Sequence, residues 1–455
     1  MNVILSELKK IQDAHICCGC GACAALDRSH TTKMQDTANG PVPLFSKEAS
    51  FPEWALEACP AKGVSYPEMY QHVWGKDPDS WLFGEIKNVY TGFSADPKIR
   101  KSGASGGVIT HILCYLLENR IVDAVIAAKQ GVGSPLSAKA VILDSIEGVL
   151  NAAQSVYVPV SMLDILPELD PQKRYAITCL PEASSALRVM QKNGFKPAEL
   201  INYVLGPYTG TALYPAAIEC FLRSNRVPKD DSVTKLQWRA GAWPGYLQID
   251  TAAGRVLKSP KVYYNYLIPF FVTQTSLQSM DFANEFADIA VGDAWNPKFE
   301  KEAQKGAGGQ SVIAVRSEKM LEIVKQMQAA GLLVLTEEEP SKAGDMHGHM
   351  LDFKKRGGYL RNRWRRLTGR LAPDYGYKPA HIPPVRILVE VVISLLFACG
   401  RLRFSRWVVA HIPETVIGPF FNGLRKQWKN LSRPTKRKGL KNFQIIKTKK
   451  SCGEN

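Results

Sequence analysis

Cys17, Cys20 and Cys23 recur at two-residue intervals and Cys59 follows in a Cys-Pro pair, a pattern that constrains this chain more than any other feature. Cysteines spaced C-x2-C-x2-C in a tight loop turn their thiolates inward on one small volume. Gly19 and Gly21 between them let the backbone wrap an inorganic core closely. Three thiolates leave a cubane one ligand short, and Ala58-Cys59-Pro60-Ala61 carries the Cys-Pro ending of bacterial ferredoxin loops. The reading is one [4Fe–4S] cluster on Cys17, Cys20, Cys23 and Cys59, with Cys18 a spare thiol. Zinc competes poorly, because structural zinc sites take two separated Cys pairs rather than a run of three and a distant single. The opening segment, residues 1–10, lacks a signal peptide's apolar run and cleavage site. The ten cysteines are therefore expected in the cytoplasm, as ligands and buried thiols rather than disulfides.

At 455 residues the chain exceeds one ordinary core, so two or three domains are expected. Its charge is uneven. Residues 351–455 hold 24 Lys/Arg against 5 Asp/Glu, whereas residues 1–350 hold 34 against 37. The basic character belongs to the C-terminal part, and the body is nearly neutral. That part carries Lys354-Lys355-Arg356, the run from Arg361 to Arg366, an apolar stretch from Ile387 to Gly400, and Phe404, Trp407 and Trp428 among arginines and lysines. The apolar stretch is short for a bilayer span, which needs about 20 residues. Basic residues mixed with Trp and Phe suit a segment lying on an anionic membrane surface, so residues 351–450 are expected to be peripheral on the inner face of a membrane. A solvated basic tail beside a packed helix is the plainer alternative. Nucleic acid is disfavoured as a partner, since no recognised binding module accompanies the charge.

Between these ends, β-type runs alternate with helical ones. Residues 123–128, 138–143, 175–178 and 311–315 read as buried strands, and 318–330 as a helix, which argues for an α/β architecture. Lys101-Ser102-Gly103-Ala104-Ser105-Gly106-Gly107 runs into a helix with Val108, Ile109, Ile112, Leu113, Leu116 and Leu117 on one face. Small residues at a helix start leave N–H groups bare for an anion, and Lys101, Ser102 and Ser105 add charge and hydroxyls. A glycine-rich helix entry is, however, often only a tight turn.

The cluster loop followed by Lys101 to Thr110 resembles the beta-subunit family of coenzyme F420 hydrogenases and dehydrogenases. Cys179 to Arg188 is similar to that family's Gly-x-Pro-Cys-Gln-x-x-Ala-Leu-Arg segment. The stretch Asp281 to Trp295 is similar to its Asp-x-x-Asn-x-x-Ala-Asp-Ile-x-x-Gly-Asp-x-Trp signature, and Arg239 to Gly245 also fits. The resemblance covers roughly residues 10–340. It implies an iron–sulfur flavoprotein that binds FAD and passes electrons between a cluster and an organic molecule. Lys101, Ser102, Ser105, Gly106, Gly107 and Thr110 would then lie near the flavin or its phosphates, and Asn284, Asp288 and Asp293 would line or brace the same pocket. The expected organisation is α/β, or α+β overall. It comprises a ferredoxin-like 4Fe–4S module (1–80), the two parts of a flavin-binding core (81–170 and 171–345) and a basic helical extension (346–455).

The departures bear on function. Glu182 stands where the family shows Cys, and residues 271–280 lack the Cys-x2-Cys pair of many members. Neither does Leu205-Gly206-Pro207 supply a further family cysteine. The resemblance implies that these are ligands of a second cluster, so one cluster plus flavin is expected here. The leading expectation is an oxidoreductase taking electrons from a ferredoxin-like donor to a small-molecule substrate. Tyr157, Glu182 and His111 are its possible proton donors. The alternative is a non-catalytic electron-transfer or assembly subunit, membrane-surface-associated in polysaccharide or envelope metabolism.

Overall fold

Beyond the cysteine loop, β1 (Lys33–Thr37) and β2 (Gly40–Leu44) pair as an antiparallel hairpin. The main sheet is then laid down by β3 (Asn88–Ser94), β4 (Ala124–Gln130), β5 (Ala138–Leu143), β6 (Tyr175–Thr178) and β7 (Ile201–Pro207). Three further strands, β8 (Val233–Ala240), β9 (Tyr246–Thr251) and β10 (Val256–Pro260), form a separate antiparallel sheet. The chain returns with β11 (Ile289–Asp293), β12 (Ser311–Val315) and β13 (Leu333–Glu338) to complete eight strands in the order β13-β3-β12-β11-β7-β6-β4-β5. Pairing is parallel from β11 through β7 and β6 to β4, and antiparallel elsewhere in this sheet. Strands β14 (Tyr377–Pro379) and β15 (Ile445–Lys447) clasp the C-terminal part to itself. This is a computed structural model, and it describes residues 3–306 and 308–448.

The two-residue period of the strands divides the core. Ala124, Ile126, Tyr175 and Ile177 face one side, where Leu5, Leu8, Leu26, Phe51, Met69 and Tyr70 of the N-terminal module pack. Val125, Ala127 and Ala176 face the other, against the helices Val108–Glu118 and Glu318–Ala329. Both faces are covered, so the strands read as continuous apolar runs. The cysteine loop is thereby held directly over one face of the sheet. Cys114, Cys179 and Cys220 are buried, as expected of inert thiols.

The C-terminal part is helical, with Pro340–Asp352, Tyr359–Leu367, Pro384–Gly400, Arg403–His411 and Glu414–Arg437, and a π-helical turn at Phe353–Gly358. Its first basic cluster does not face outward. Lys354, Lys355 and Arg356 are all buried, because the widened π turn points them into the body. Lys355 pairs with Glu285 at 2.5 Å and Arg356 with Asp352 at 2.8 Å. Arg386 bridges Asp352 at 2.7 Å and Glu390 at 2.8 Å, and Arg361 meets Glu390 at 2.5 Å. These side chains make an internal ion-pair network, so the surface expected from residues 351 to 361 is absent.

Candidate functional site

The cysteine loop turns twice through left-handed backbone, at Gly19 (φ 70°) and Gly21 (φ 85°). Each turn is pressed against neighbouring backbone. A Cβ at Gly19 would lie 2.7 Å from the Pro41 carbonyl oxygen, and one at Gly21 2.6 Å from the Asp164 nitrogen. Leu163 N–H donates to the Cys20 carbonyl at 2.9 Å, which pins the loop to the body. Cys59 leaves the short helical turn Glu53–Leu56 and is brought back against this loop. The result is one pocket lined by Cys17, Cys18, Cys20, Cys23 and Cys59.

Electrostatics in this pocket are those of thiols that cannot ionise together unaided. Burial pushes the Cys17 thiol up to about 12, and Cys59 and Cys20 add to the rise. Burial likewise pushes Cys59 up to about 11, with Cys20 adding to it. Cys23 is raised well above the usual range, by burial first and then by the charges of Cys17, Cys20 and Cys59. Cys18 donates its S–H to Cys20, which lowers Cys20 and sets Cys18 apart from the other four. Gly19 N–H donates to the Cys17 sulfur at 3.4 Å, so amide dipoles already point at the sulfur. A polynuclear cation would relieve the mutual repulsion, and the donor set is chemically suited to one. Among the described residues, no three His, Cys, Asp or Glu side chains close on a single metal ion.

A second, smaller pocket also reaches Cys18 and is lined by Glu182, Thr275, Gln278, Ser279 and Tyr375. Here the positions that depart from the family pattern come together. Cys18 is the one thiol lining it. Glu182 is held above the ordinary carboxylate range by burial, while Lys354 opposes that rise. Burial lowers Lys354 itself to about 8, with Glu182 acting against the shift. A single thiol beside a buried Glu–Lys pair does not suit a cubane.

The glycine loop lies elsewhere, at the β3–β12–β11 end of the sheet. Asp293 ends β11 opposite Ser311 of β12, which in turn pairs with Gly92 of β3. Ser105 and Ser311 hydroxyls meet at 2.6 Å, and Gly106 N–H donates to Ser311 Oγ at 3.0 Å. Gly107, with φ 74°, opens the helix Val108–Glu118. Ser102 Oγ donates to the Ile99 carbonyl at 3.0 Å, Lys101 is exposed and Thr110 half-buried. The Arg100 guanidinium stacks on Phe93 and donates to Gly309 O at 3.1 Å.

Asp293 organises what surrounds this loop. Arg239 donates to both its carboxylate oxygens at 3.0 Å, Trp243 Nε1 donates at 2.8 Å, and Lys261 stands 3.5 Å away. Although burial opposes it, the charges of Lys261 and Arg239 hold this carboxyl well below the usual range. The Trp243 and Trp295 rings lie 4.8 Å apart, and Lys261 Nζ sits over Trp295 and hydrogen-bonds Tyr157. His347 Nε2 donates to the Asp293 carbonyl at 2.9 Å. Two indoles, three cations and a tyrosine thus converge beside a glycine-rich helix entry. That set of groups suits a planar ring system carrying phosphates.

Asn284 and Asp288 stand toward the opposite end of β11. Asn284, at φ 56°, donates through Nδ2 to the Cys179 carbonyl at 2.7 Å. Asp288 pairs with Arg188 at 3.0 Å and accepts from Val204 N–H at 2.8 Å. Asp288 thereby ties β7 to the helix Pro181–Lys192, and Asn284 holds the segment that follows β6. His111 is buried and shares a hydrogen bond of 2.8 Å with Ser94. Sequence reasoning missed Lys261, Ser311 and His347 altogether. They come from three distant segments with no local motif, whereas Arg239 was flagged by its neighbouring Trp-Pro-Gly.

Two family models match the chain. Coenzyme F420 hydrogenase/dehydrogenase beta subunit N-term covers residues 89–167, and the C terminus model covers residues 172–341. Among solved structures, a chain of the F420-reducing [NiFe] hydrogenase complex from Methanosarcina barkeri, studied as a xenon derivative, has a similar fold. It superposes with a TM-score of 0.50 at 18% identity, over 64% of this chain and 96% of that one. No curated protein sequence matches.

Proposed function

The chain belongs to the coenzyme F420 hydrogenase/dehydrogenase beta-subunit family, a family of oxidoreductases, and from that premise we propose that it is an iron–sulfur flavoprotein. Its bound redox groups would be one [4Fe–4S] cluster and FAD, its electron donor would be ferredoxin-like, and its acceptor would be an organic substrate. Cys17, Cys20, Cys23 and Cys59 would hold the cluster. The observation that carries this reading is the single pocket in which these four thiols repel one another among amide donors. Bound in such sites, a cluster supplies one-electron steps and a flavin supplies their pairing into two. The chain's own residues do the rest. Loop residues Lys101, Ser102, Ser105, Gly106, Gly107 and Thr110 would face the flavin's phosphates. Arg100 and Lys261 would offset their charge, and Trp243 and Trp295 would offer ring faces. Asp293 fixes Arg239, Trp243 and Lys261 in one arrangement, while Asn284 and Asp288 brace the sheet that carries it. Tyr157, hydrogen-bonded to Lys261, is the side chain best placed to hold a proton there. The second pocket, with one thiol and a Glu–Lys pair, supports a single cluster.

Anaerobic purification tests this directly. Iron and acid-labile sulfide near four per chain, with flavin bands that bleach on reduction, are the expected result. Cys59→Ser should remove most of the iron and Cys18→Ser should leave it. Zinc, or no iron, would overturn the cluster. Iron without flavin would favour an electron-relay subunit instead.

A further inference from the structure

The helix Pro384–Gly400 is built inside out. Its charged residues, Arg386 and Glu390, are fully buried in the ion-pair network, while Leu388, Leu395 and Leu396 are 65%, 59% and 51% exposed. A helix lying on a water-facing body ordinarily does the reverse. The two following helices continue the anomaly. Phe404 and Trp407 on Arg403–His411 stack outward with centroids 6.3 Å apart, and Phe420 on Glu414–Arg437 is 66% exposed. Singly exposed apolar side chains are ordinary, but this concentration on three adjoining helices marks a contact surface.

Charge names the occupant. Residues 384–437 contain ten Lys/Arg and two Asp/Glu, and both acids, Glu390 and Glu414, are buried. Every exposed charge there is thus positive, including Arg403, Lys426, Lys429 and Arg433. A second copy of this chain would bring the same positive rim against itself, whereas anionic headgroups complement it. A helix crossing the membrane would need about 20 apolar residues. No helix among the described residues is long and apolar enough to span it, and Arg386 and Glu390 tether the most apolar one to the body.

We propose that these three helices dock the protein on an anionic bilayer surface, with their apolar side chains in the interface and the basic rim among the headgroups. Trp407 and Phe404 are of the type that settles at headgroup level. This docking is independent of the iron and flavin content.

Co-sedimentation of the full chain with phosphatidylglycerol and phosphatidylcholine vesicles tests it. Binding should be at least tenfold stronger to the anionic vesicles and should weaken in high salt. The variant Leu395→Asn/Leu396→Asn/Trp407→Ala should lose tenfold or more, and Lys426→Glu/Lys429→Glu should lose binding to the anionic vesicles. Each variant should keep the parent's melting temperature, since every altered side chain is exposed. Absence of binding to phosphatidylglycerol, or unchanged binding by well-folded variants, overturns the proposal. So does a parent that forms dimers by light scattering while the apolar variant is monomeric and neither pellets with vesicles.

Discussion

His347 shows how one buried side chain couples stability to pH. It is 4% exposed, donates to the Asp293 carbonyl, and is lowered by burial to about 4, with Asp293 opposing the shift and Lys261 reinforcing it. An unfolded chain would protonate the same residue near the ordinary value of about 6.5. Between those values the unfolded state binds the extra proton, so stability is full above about 6.5 and falls as pH drops toward about 4. At about 1.4 kcal/mol per unit the loss is at most ~3.5 kcal/mol. His347→Gln keeps a donor but does not titrate, so its stability should decline less over that window. Denaturant unfolding of both proteins at several pH values checks this; parallel curves would reject it. Asp293 bears on function. Replacing it with Asn removes the charge that pairs Arg239 and Lys261, and should weaken flavin retention about tenfold or more while the cluster iron is unchanged. Equal loss of iron would mean that the whole fold had failed.

Elements divide sharply into those legible in the sequence and those that are not. Strands β5, β6 and β12 coincide with the apolar runs at 138–143, 175–178 and 311–315, and β4 lies one residue from its expected start. Strands β4, β6 and β12 are short runs largely buried on both faces, whereas β5, expected to be buried, is the edge strand and leaves Lys139 and Ile142 exposed. The cysteine pocket was legible too, because spacing within one loop brings its thiols together. Side chains that meet across the sheet were not. Nothing local marks Lys261 or Ser311 as neighbours of the glycine loop, and nothing in Lys354-Lys355-Arg356 announces that a π turn will point them inward. The loop itself has little slack. A Cβ at Gly106 would lie 2.6 Å from the Gly92 carbonyl oxygen and 2.8 Å from Ser311 Oγ, and the first of these is sheet backbone that cannot yield. Gly106→Ala should therefore cost about 1–3 kcal/mol and displace the Ser105–Ser311 contact. Ser102→Ala, which loses only a bond to the Ile99 carbonyl, should cost less than about 1.5 kcal/mol. Thermal unfolding ranks the pair, and equal effects would show that the close approach is relaxed in solution.

On the scale of the whole molecule, the basic C-terminal part reads in sequence as an addition to a neutral body, but its charges are divided between two tasks. One set is internal. Arg386 and Glu390 neutralise Asp352 and Arg361, and Tyr377 stacks near Trp81 and accepts from Lys355 at 3.1 Å. The other set lines the exposed helices. Removal of residues beyond Ala372 would take away Arg386, Glu390 and Tyr377 together, leaving Arg361 without its carboxylate and Asp352 with Arg356 alone. A buried charge stripped of its partner costs about 3–5 kcal/mol, a large share of the 5–15 kcal/mol that holds an ordinary domain folded. The truncated chain should thus be insoluble or melt far below the full one. Because Lys355 of the extension also pairs with Glu285, within the Asp281 to Trp295 segment, the full chain should lose its helices and its cofactor-facing sheet in one calorimetric transition. Two separate transitions, or a truncated chain that melts like its parent, would show that the extension is an independent unit and that the buried ion pairs do not couple it to the redox body.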